Sequence, residues 1–272
     1  MSKNVFITGA TDGIGKQSAI ELAGMDYHVI IHGRSDDSVN QAIEDIRKES
    51  GKDGIAGYSG DFEVLSEVKD LADKVKKDYA NMDILVNNAG VFQKERELTK
   101  DGFEKTFQVN YLAHFLLTHL HMDLLENNEG ARVVNVSSMV HATAIDFDNL
   151  QGEQSFSGSA AYGLSKLCNV LFTHKLAREY RDSYVTSNCL HPGVISTKLL
   201  KQNYGDIGAA VEEGAQNIIY VATSDAIEGV SGKYFVNQMP QGSATVTYET
   251  NVQDKLWEVS QEMLKDYIIL KG

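Results

Sequence analysis

The sequence predicts an α/β protein built on a doubly wound parallel sheet of about seven strands with helices on both faces. Short apolar runs alternate with helix-length segments along the 272-residue chain, a pattern typical of this architecture. The runs are continuously apolar, as expected of strands that are buried on both faces. Only two prolines occur and no linker-like stretch interrupts the pattern, so residues 1–272 are predicted to form a single domain.

Seven apolar runs are assigned to strands: 5–7, 29–31, the weaker 54–58, 84–86, 133–136, 186–190 and 234–236. Helices are predicted near 14–24, 37–50, 63–79, 101–127, 160–182 and 208–223, and a last amphipathic helix begins at about Asn251. The most loop-like stretches are 141–159 and 195–207. Loops after strand carboxyl ends bind ligands in such sheets, so substrate loops are predicted near 139–161 and 195–207.

Composition excludes several function classes. The net charge of -13 argues against nucleic acid or an anionic membrane as partner, because both are polyanions. No apolar run reaches the 18 or so residues of a membrane span, and an apolar strand follows the first four residues at once, which leaves no room for a signal peptide. Two cysteines, Cys168 and Cys189, fit a reducing compartment, so a cytoplasmic protein without disulfides is expected. His119 and His121 do not share a helix face, so no metal site is predicted.

A glycine-rich turn follows the first strand, where residues 8–15 read TGATDGIG. Glycine lets the backbone turn tightly and approach a pyrophosphate closely, and the next helix offers unpaired amides to that anion. A phosphate loop of nucleoside triphosphatases is disfavoured, since Ala10 and Gln17 stand where that pattern needs glycine and serine or threonine. The turn therefore predicts a Rossmann-type NAD(P)-binding domain, with cofactor contacts from Gly9, Thr11, Asp12, Gly13, Ile14 and Gly15.

The end of the second strand favours NADP over NAD. A carboxylate at this place would accept the ribose 2′-hydroxyl of NAD, whereas an arginine accommodates a 2′-phosphate. The segment 33–35 reads GRS, so Arg34 offers a bidentate fork and no carboxylate is present. Asp12 places an acid near the predicted phosphate. NADP is the predicted cofactor and NAD the weaker alternative.

Tyr162 and Lys166 point to proton transfer. Four helical steps leave two side chains about 40° apart and about 6 Å along the axis, so phenol and ammonium can face one cleft. A free tyrosine titrates near 10, and a fixed cation favours the phenolate and pulls that pKa toward neutral pH. A solvated Tyr and Lys on an amphipathic helix would show the same spacing, so the pair gains its meaning from the motifs around it.

Four motifs occur in order along the chain: NNAG at 87–90, VVNVSSMVH at 133–141, YGLSK at 162–166 and HPG at 191–193. Together they resemble the short-chain dehydrogenase/reductase family in its single-domain form, over nearly the whole chain. The segments 145–150, 232–236 and 255–257 are similar to its retinol-dehydrogenase-like branch.

The resemblance implies a role for each matching residue. Tyr162 is implied as general acid/base, Lys166 as the cation that lowers its pKa and holds the nicotinamide ribose, and Ser138, in preference to Ser137, as the donor to the substrate oxygen. Asn110 is implied to interrupt its helix and to seat a water of a proton relay. The remaining implied cofactor contacts are Asp61, Asn88, Ala89, Gly90, Pro192, Gly193, Val194 and Thr197. Taken singly, these residues could equally be turns, caps or polar helix positions.

The predicted function is an NADP-dependent oxidoreductase that interconverts a carbonyl and an alcohol. Apolar residues in 139–161, such as Ile145 and Phe147, suggest a lipophilic small-molecule substrate. One alternative is a non-catalytic NADP(H)-binding sensor or regulatory protein, which a degenerate catalytic position would favour. Another is an epimerase or dehydratase, which would use the same Tyr/Lys pair. A homo-oligomer is expected from the resemblance alone.

Overall fold

The computed structural model describes residues 2–205 and 207–268. Within these residues one eight-stranded sheet has the order β3-β2-β1-β4-β5-β6-β7-β8. Strands β1 to β7 are parallel and β8 runs antiparallel to β7. The strands are β1 (Asn4–Ile7), β2 (His28–Gly33), β3 (Ile55–Ser59), β4 (Ile84–Asn87), β5 (Arg132–Val136), β6 (Thr186–His191), β7 (Tyr234–Val236) and β8 (Met239–Gln241).

Helices cover both faces of this sheet. They are α1 (Gly13–Gly24), α2 (Asp36–Ser50), α3 (Leu65–Asp78), α4 (Lys105–Phe107), α5 (Ala113–Glu126), α6 (Gly158–Glu179), α7 (Lys198–Tyr204), α8 (Val211–Thr223) and α9 (Thr250–Met263). A π-helical segment, Gln108–Leu112, joins α4 to α5, and short 3₁₀ turns lie at Phe147–Asn149, Asp225–Ile227 and Thr245–Tyr248. The predicted doubly wound, Rossmann-type fold is confirmed, with β8 in addition to the seven predicted strands.

Successive residues of each central strand face opposite helix layers. In β1, Phe6 packs into the layer formed with α3, α5, α6 and α9, whereas Val5 and Ile7 pack into the layer formed with α1, α2 and α8. The same alternation continues in β4, where Leu85 joins the first layer and Val86 the second. Both faces are buried, which is why the strands appear in the sequence as unbroken apolar runs.

Several boundaries differ from the predicted ones for local reasons. The single helix predicted at 101–127 starts only at Lys105, because Gly102 has a φ of 85° and the Glu104 side chain caps the amides of Thr106 and Phe107. The helix predicted at 160–182 begins two residues earlier, after the cap formed by Ser157. The helix predicted at 208–223 begins at Val211 instead.

The second predicted substrate loop, 195–207, is partly helical. Thr197 caps α7 by accepting a hydrogen bond from the amide of Leu200. Residue 206 of this loop lies outside the described residues, as do residues 1 and 269–272. The first loop, 139–161, is irregular except for one 3₁₀ turn and the start of α6. Among the helices of the described ranges, none combines the length and the apolarity needed to cross a membrane.

Helix α9 closes the layer that contains α5 and α6. Leu256 is buried, and the Trp257 ring lies 5.1 Å from that of Phe115 and 6.0 Å from that of Phe172. The Tyr111 hydroxyl lies 2.7 Å from Ser260 Oγ. Residues of the last helix therefore complete the core beside the π-helical segment.

We expect Leu256→Ala to lower the free energy of unfolding by about 2–5 kcal/mol, because it removes buried methyl groups and leaves a cavity. Urea unfolding followed by circular dichroism measures the change. Glu258→Ala, at an exposed position of the same helix, is the matched control and should stay within about 0.5 kcal/mol of wild type. Equal unfolding midpoints for the two variants would contradict the packing role of α9.

Candidate active site

The glycine turn and the loop after β4 meet at the point where the strand order reverses, between β1 and β4. Gly9 has a φ of 62°, and a Cβ atom added there would lie 2.7 Å from the Cα of Ala89. A Cβ atom on Gly15 would lie 2.5 Å from both Asn88 Nδ2 and the Gly9 carbonyl oxygen. Only glycine fits at these two positions, so the start of α1 packs directly against the crevice in which Rossmann sheets bind their ligand.

Hydrogen bonds fix the glycine turn against the loop after β4. The Thr8 hydroxyl accepts the backbone amides of Asn88 (2.8 Å) and Ala89 (3.0 Å). In return, the Asn88 side chain donates to the carbonyls of Thr8 (2.8 Å) and Gly9 (3.1 Å). The glycine turn and the NNAG loop therefore form one hydrogen-bonded unit.

The segment after β6 crosses the same turn. A Cβ atom on Gly13 would lie 3.5 Å from Thr197 Cγ2, which places the predicted phosphate contact Thr197 against the glycine turn. Pro192 is held through its carbonyl by Asn217 Nδ2 at 3.0 Å, Gly193 has a φ of 107°, and the Val194 side chain is about half exposed.

Lys198 forms an ion pair with Asp12, the acidic residue of the glycine turn. Its Nζ lies 2.7 Å from Asp12 Oδ2, and although partial burial opposes ionisation, this ammonium lowers the pKa of Asp12. Lys16, on the first turn of α1, pairs with Asp45 at 2.7 Å. The Asp12 carboxylate is thus balanced by a cation, so the α1 amino terminus can still receive a phosphate.

The other end of the predicted cofactor site lies at the carboxyl ends of β2 and β3. A Cβ atom on Gly33 would lie 2.3 Å from Thr11 Cγ2, so a carboxylate side chain cannot occupy this position. Arg34 follows, exposed, before Ser35 caps α2. Asp61 lies after β3 and its Oδ1 accepts the amide of Glu63 at 3.0 Å.

Tyr162 and Lys166 lie on the first turns of α6, beside the end of β5. Lys166 is buried and its Nζ donates to the Val136 carbonyl at 2.9 Å, while lying 5.5 Å from the centre of the Tyr162 ring. Burial lowers the pKa of Lys166 to about 8, so the ammonium is still the main form at neutral pH. The Phe92 ring lies 5.7 Å from the Tyr162 ring.

The two serines after β5 have different partners. Ser137 Oγ donates to the carbonyl of Lys166 at 2.8 Å, which fixes β5 to α6. Ser138 Oγ accepts a hydrogen bond from the amide of Val140 at 3.3 Å and donates none within the described part of the chain, so its proton can be donated to a ligand.

His141 holds the turn that carries Ser138. Its Nδ1 donates to the Ser138 carbonyl at 2.6 Å, and its Nε2 accepts the amide of Ala244 at 3.1 Å. The amide of Ala142 donates to the carbonyl of Gly163 at 2.9 Å, which fixes the same turn to α6 one residue after Tyr162. The Ser138 turn is therefore attached both to the helix of Tyr162 and to the segment before α9.

Asn110 lies in the π-helical segment, which interrupts the helix where the resemblance implied an interruption. Its Oδ1 accepts the amide of Val91 at 2.7 Å, and its Nδ2 donates to the Val91 carbonyl and to Ser165 Oγ, both at 3.0 Å. A Cβ atom on Gly90 would lie 3.4 Å from Asn110 Oδ1 and 3.7 Å from Lys166 Nζ. Gly90 therefore lies next to both Asn110 and Lys166, each at ordinary van der Waals distance from the added atom.

The predicted residues form two adjoining groups along the carboxyl edge of the sheet. One group surrounds the glycine turn and extends to Arg34, and the other surrounds Tyr162. The sequence reasoning missed Thr8, Lys198 and His141 as residues that organise these groups. A threonine directly between a strand and a glycine turn was the available signal for Thr8, whereas the partners of Lys198 and His141 are too distant in sequence to be anticipated.

The glycine turn and the start of α1 fit a dinucleotide. Glycines leave no side-chain atoms over the start of α1, and the first-turn amides of a helix have no partner within it. Within the described residues, no group of three His, Cys, Asp or Glu side chains could hold a metal ion. Proton donors, a buried cation and an anion-binding helix end along one crevice are the parts needed for hydride transfer coupled to proton transfer.

Comparison with known proteins agrees with this geometry. The family model described as "short chain dehydrogenase" matches residues 3–207. Human polyprenol dehydrogenase is 38% identical over 95% of this chain and 84% of its own length, and human retinol dehydrogenase 14 is 36% identical over 96% and 86%. The fold is shared with a short chain dehydrogenase from Escherichia coli complexed with NADPH (TM-score 0.71, 23% identity), over 87% of this chain and 97% of that one.

We expect Gly15→Ala to destabilise the protein by about 1–3 kcal/mol, because the added methyl group would overlap Asn88 and Gly9. The variant should also weaken NADPH binding. Gly24→Ala, in the same helix but with no atom within 4 Å of the added carbon, is the control and should be neutral or stabilising. Urea unfolding and NADPH fluorescence titration measure both effects; a Gly15 variant that behaves like the Gly24 variant would contradict the close packing.

Proposed function

The chain belongs to the short-chain dehydrogenase/reductase family, in its retinol-dehydrogenase-like branch, and is an NAD(P)-dependent oxidoreductase. From this premise we propose that it uses NADP(H) to interconvert a carbonyl and an alcohol, with Tyr162 as the general acid/base. The observation that carries the proposal is the position of Tyr162 next to the buried Lys166 ammonium and close to the Ser138 turn.

NADP(H) is held, in this proposal, by two sets of contacts. The amides at the start of α1 and the Thr197 segment bind the pyrophosphate, since the glycines leave that surface open and Lys198 balances Asp12. Arg34 binds the 2′-phosphate, because Gly33 excludes the carboxylate that would select NAD. Solved relatives with NADP or NADPH, from Shigella flexneri and Escherichia coli, support the same choice. When bound, the reduced cofactor supplies the hydride.

Proton transfer is the task of the protein. In the reductive direction the Tyr162 hydroxyl donates its proton to the substrate oxygen as negative charge grows there. Ser138 Oγ, whose lone pair is engaged by the amide of Val140, donates a second hydrogen bond to the same oxygen. The Lys166 ammonium stabilises the phenolate that remains. In the oxidative direction the Tyr162 phenolate takes the proton from the alcohol.

The substrate is proposed to be lipophilic. Exposed apolar side chains stand at the carboxyl ends of three adjacent strands: Met139 and Val140 after β5, Val194 after β6, and Met239 beyond β7. These side chains give the mouth of the crevice an apolar rim. The names of the similar human proteins, polyprenol dehydrogenase and retinol dehydrogenase 14, point to the same class of substrate.

We expect Tyr162→Phe to lower kcat by at least about 100-fold, the lower range of what general acid catalysis contributes. The Kd for NADPH should stay within about threefold of wild type. Loss of NADPH absorbance with a panel of lipophilic aldehydes, ketones and quinones measures the rate. Tyr184→Phe, at an exposed tyrosine, is the matched control and should keep wild-type kinetics.

Two outcomes would count against this function. Wild-type rates in Tyr162→Phe would exclude Tyr162 as the acid. Tight NADPH binding by the wild type without turnover of any substrate in the panel would instead favour a non-catalytic sensor of NADP(H).

We expect Arg34→Ala to raise the KM for NADPH about tenfold, the effect of losing one charge-assisted hydrogen bond at an exposed site, and to leave the KM for NADH within about twofold. Arg181→Ala serves as control, because within the described residues this exposed arginine forms an ion pair only with its neighbour Asp182. An equal change in both Michaelis constants would show that Arg34 does not read the 2′-phosphate.

A further inference from the structure

The buried imidazole of His114 connects the two halves of the site. Its Nδ1 lies 3.1 Å from the main-chain carbonyl oxygen of Asn110, and its Nε2 lies 3.0 Å from the Thr8 hydroxyl. His114 is 1% exposed and stands one helical turn after Asn110, at the start of α5. No role assigned above to the site uses this residue.

The hydrogen bonds around Thr8 settle the direction of both contacts. The Thr8 hydroxyl accepts two amides, those of Asn88 and Ala89, so its lone pairs are engaged and it has one proton to donate. The Val86 carbonyl, at 3.3 Å, already accepts the Thr8 amide at 3.0 Å, which leaves His114 Nε2 as the nearer acceptor of the hydroxyl proton. The proton of the neutral ring is then on Nδ1, and it is donated to Asn110.

Burial supports the neutral state of this ring. It lowers the pKa of His114 to about 3, and the nearby charge of Lys166 acts in the same direction. The nearby His32 also lowers the pKa of His114. The His32 ring stacks on Phe62, and the Phe62 ring packs edge-to-face with that of His114, with 5.4 Å between the ring centroids. A neutral imidazole with one donor and one acceptor matches its two partners.

The contact with Asn110 lies where the helix changes from π to α geometry. The amide of Ala113 bonds to the carbonyl of Gln108, five residues earlier, which is the π-helical pattern. His114 follows at the start of α5, and its ring reaches back to the carbonyl of Asn110 inside the π-helical segment.

We propose that His114 is a positioning residue that orients the Asn110 carbonyl and the Thr8 hydroxyl together, and so couples the cofactor turn to the proton-transfer group. The proposal rests on the function proposed above, because it concerns the same site. One ring holds both contacts, so a change at one is transmitted to the other without any change of charge.

Two substitutions separate the contacts. In His114→Asn, the amide nitrogen stands where Nδ1 stood and can donate to Asn110, but the side chain is too short for Thr8. In His114→Gln, the side-chain amide oxygen reaches the place of Nε2 and can accept a hydrogen bond from the Thr8 hydroxyl. No donor is then left for the Asn110 carbonyl. We expect His114→Asn to raise the Kd for NADPH about tenfold with kcat within about threefold of wild type. We expect His114→Gln to lower kcat about tenfold and to leave the Kd for NADPH within about threefold of wild type.

The controls are His121→Asn and His121→Gln. His121 is also buried on α5, but it lies away from the crevice beside Phe6, in the layer of core formed with α3. A merely structural role at His114 would give both of its variants the behaviour of the His121 pair, with lower stability and no opposite shifts in Kd and kcat. Such a result, or wild-type values in both His114 variants, would overturn the proposal.

The proposal can still be tested if the wild type shows no turnover or if the variants do not fold. If the wild type binds NADPH but reduces nothing, the proposed function fails on its own, and the binding titrations alone judge His114: equal Kd values for the two variants would overturn the coupling. If the variants do not fold, nitrogen-15 NMR of the labelled wild-type side chain decides. We expect a neutral ring protonated on Nδ1 from pH 6 to 8, and a ring protonated on Nε2, or on both nitrogens, would refute the proposal.

Discussion

The close approach of the glycine turn to the loop after β4 is the constraint on which the site depends. At Gly9 and Gly15 the backbone and side-chain atoms of the NNAG loop come so near that no Cβ atom fits. The strand order reverses here, so the sheet opens a crevice at the one place where two loops can meet from opposite sides. Because the Thr8 hydroxyl and the Asn88 side chain then bond across the gap, the loop that leads to Gly90 is placed by the same contacts that shape the nucleotide turn.

The buried ammonium of Lys166 places a positive charge beside Tyr162. The chain carries a net charge of -13, yet Lys166 Nζ donates its hydrogen bond to a carbonyl and, among the described residues, forms no ion pair with a carboxylate. An ammonium without an anionic partner in a buried place is costly, which the lowered pKa of Lys166 expresses. The cost becomes smaller when a negative charge forms nearby. A phenolate at Tyr162 would meet that need, so an unfavourable feature of the resting protein favours the charge distribution of the proposed proton transfer.

The sequence was sufficient for the seven parallel strands and for the glycine turn, because each follows from rules that act over a few residues. Strands such as β1 and β4 are apolar on both faces, and the turn needs glycine where the backbone has a positive φ. The π-helical segment could not be derived from local pattern. It is held by hydrogen bonds that Asn110 makes with Val91 and Ser165, which are 19 and 55 residues away. Strand β8 was not predicted; it contains Pro240 and lies at the edge of the sheet, where a strand tolerates proline.

The last helix shows that the proposed catalytic geometry extends well beyond the motif residues. Helices α5 and α6 are buried on most of their circumference, so a sheet on one side cannot cover them and a second layer is required. Helix α9 supplies it: Trp257 covers Phe115 and Phe172, and Arg178 of α6 pairs with Asp254 at 3.0 Å. Ser260 bonds to Tyr111, the residue after Asn110, and the amide of Ala244 holds His141. The turn of Ser138, the segment of Asn110 and the helix of Tyr162 are thus each braced by residues after β8. None of the predicted site residues lies there, so substitutions in this part of the chain would alter the geometry of the site without touching any group that takes part in the proposed chemistry.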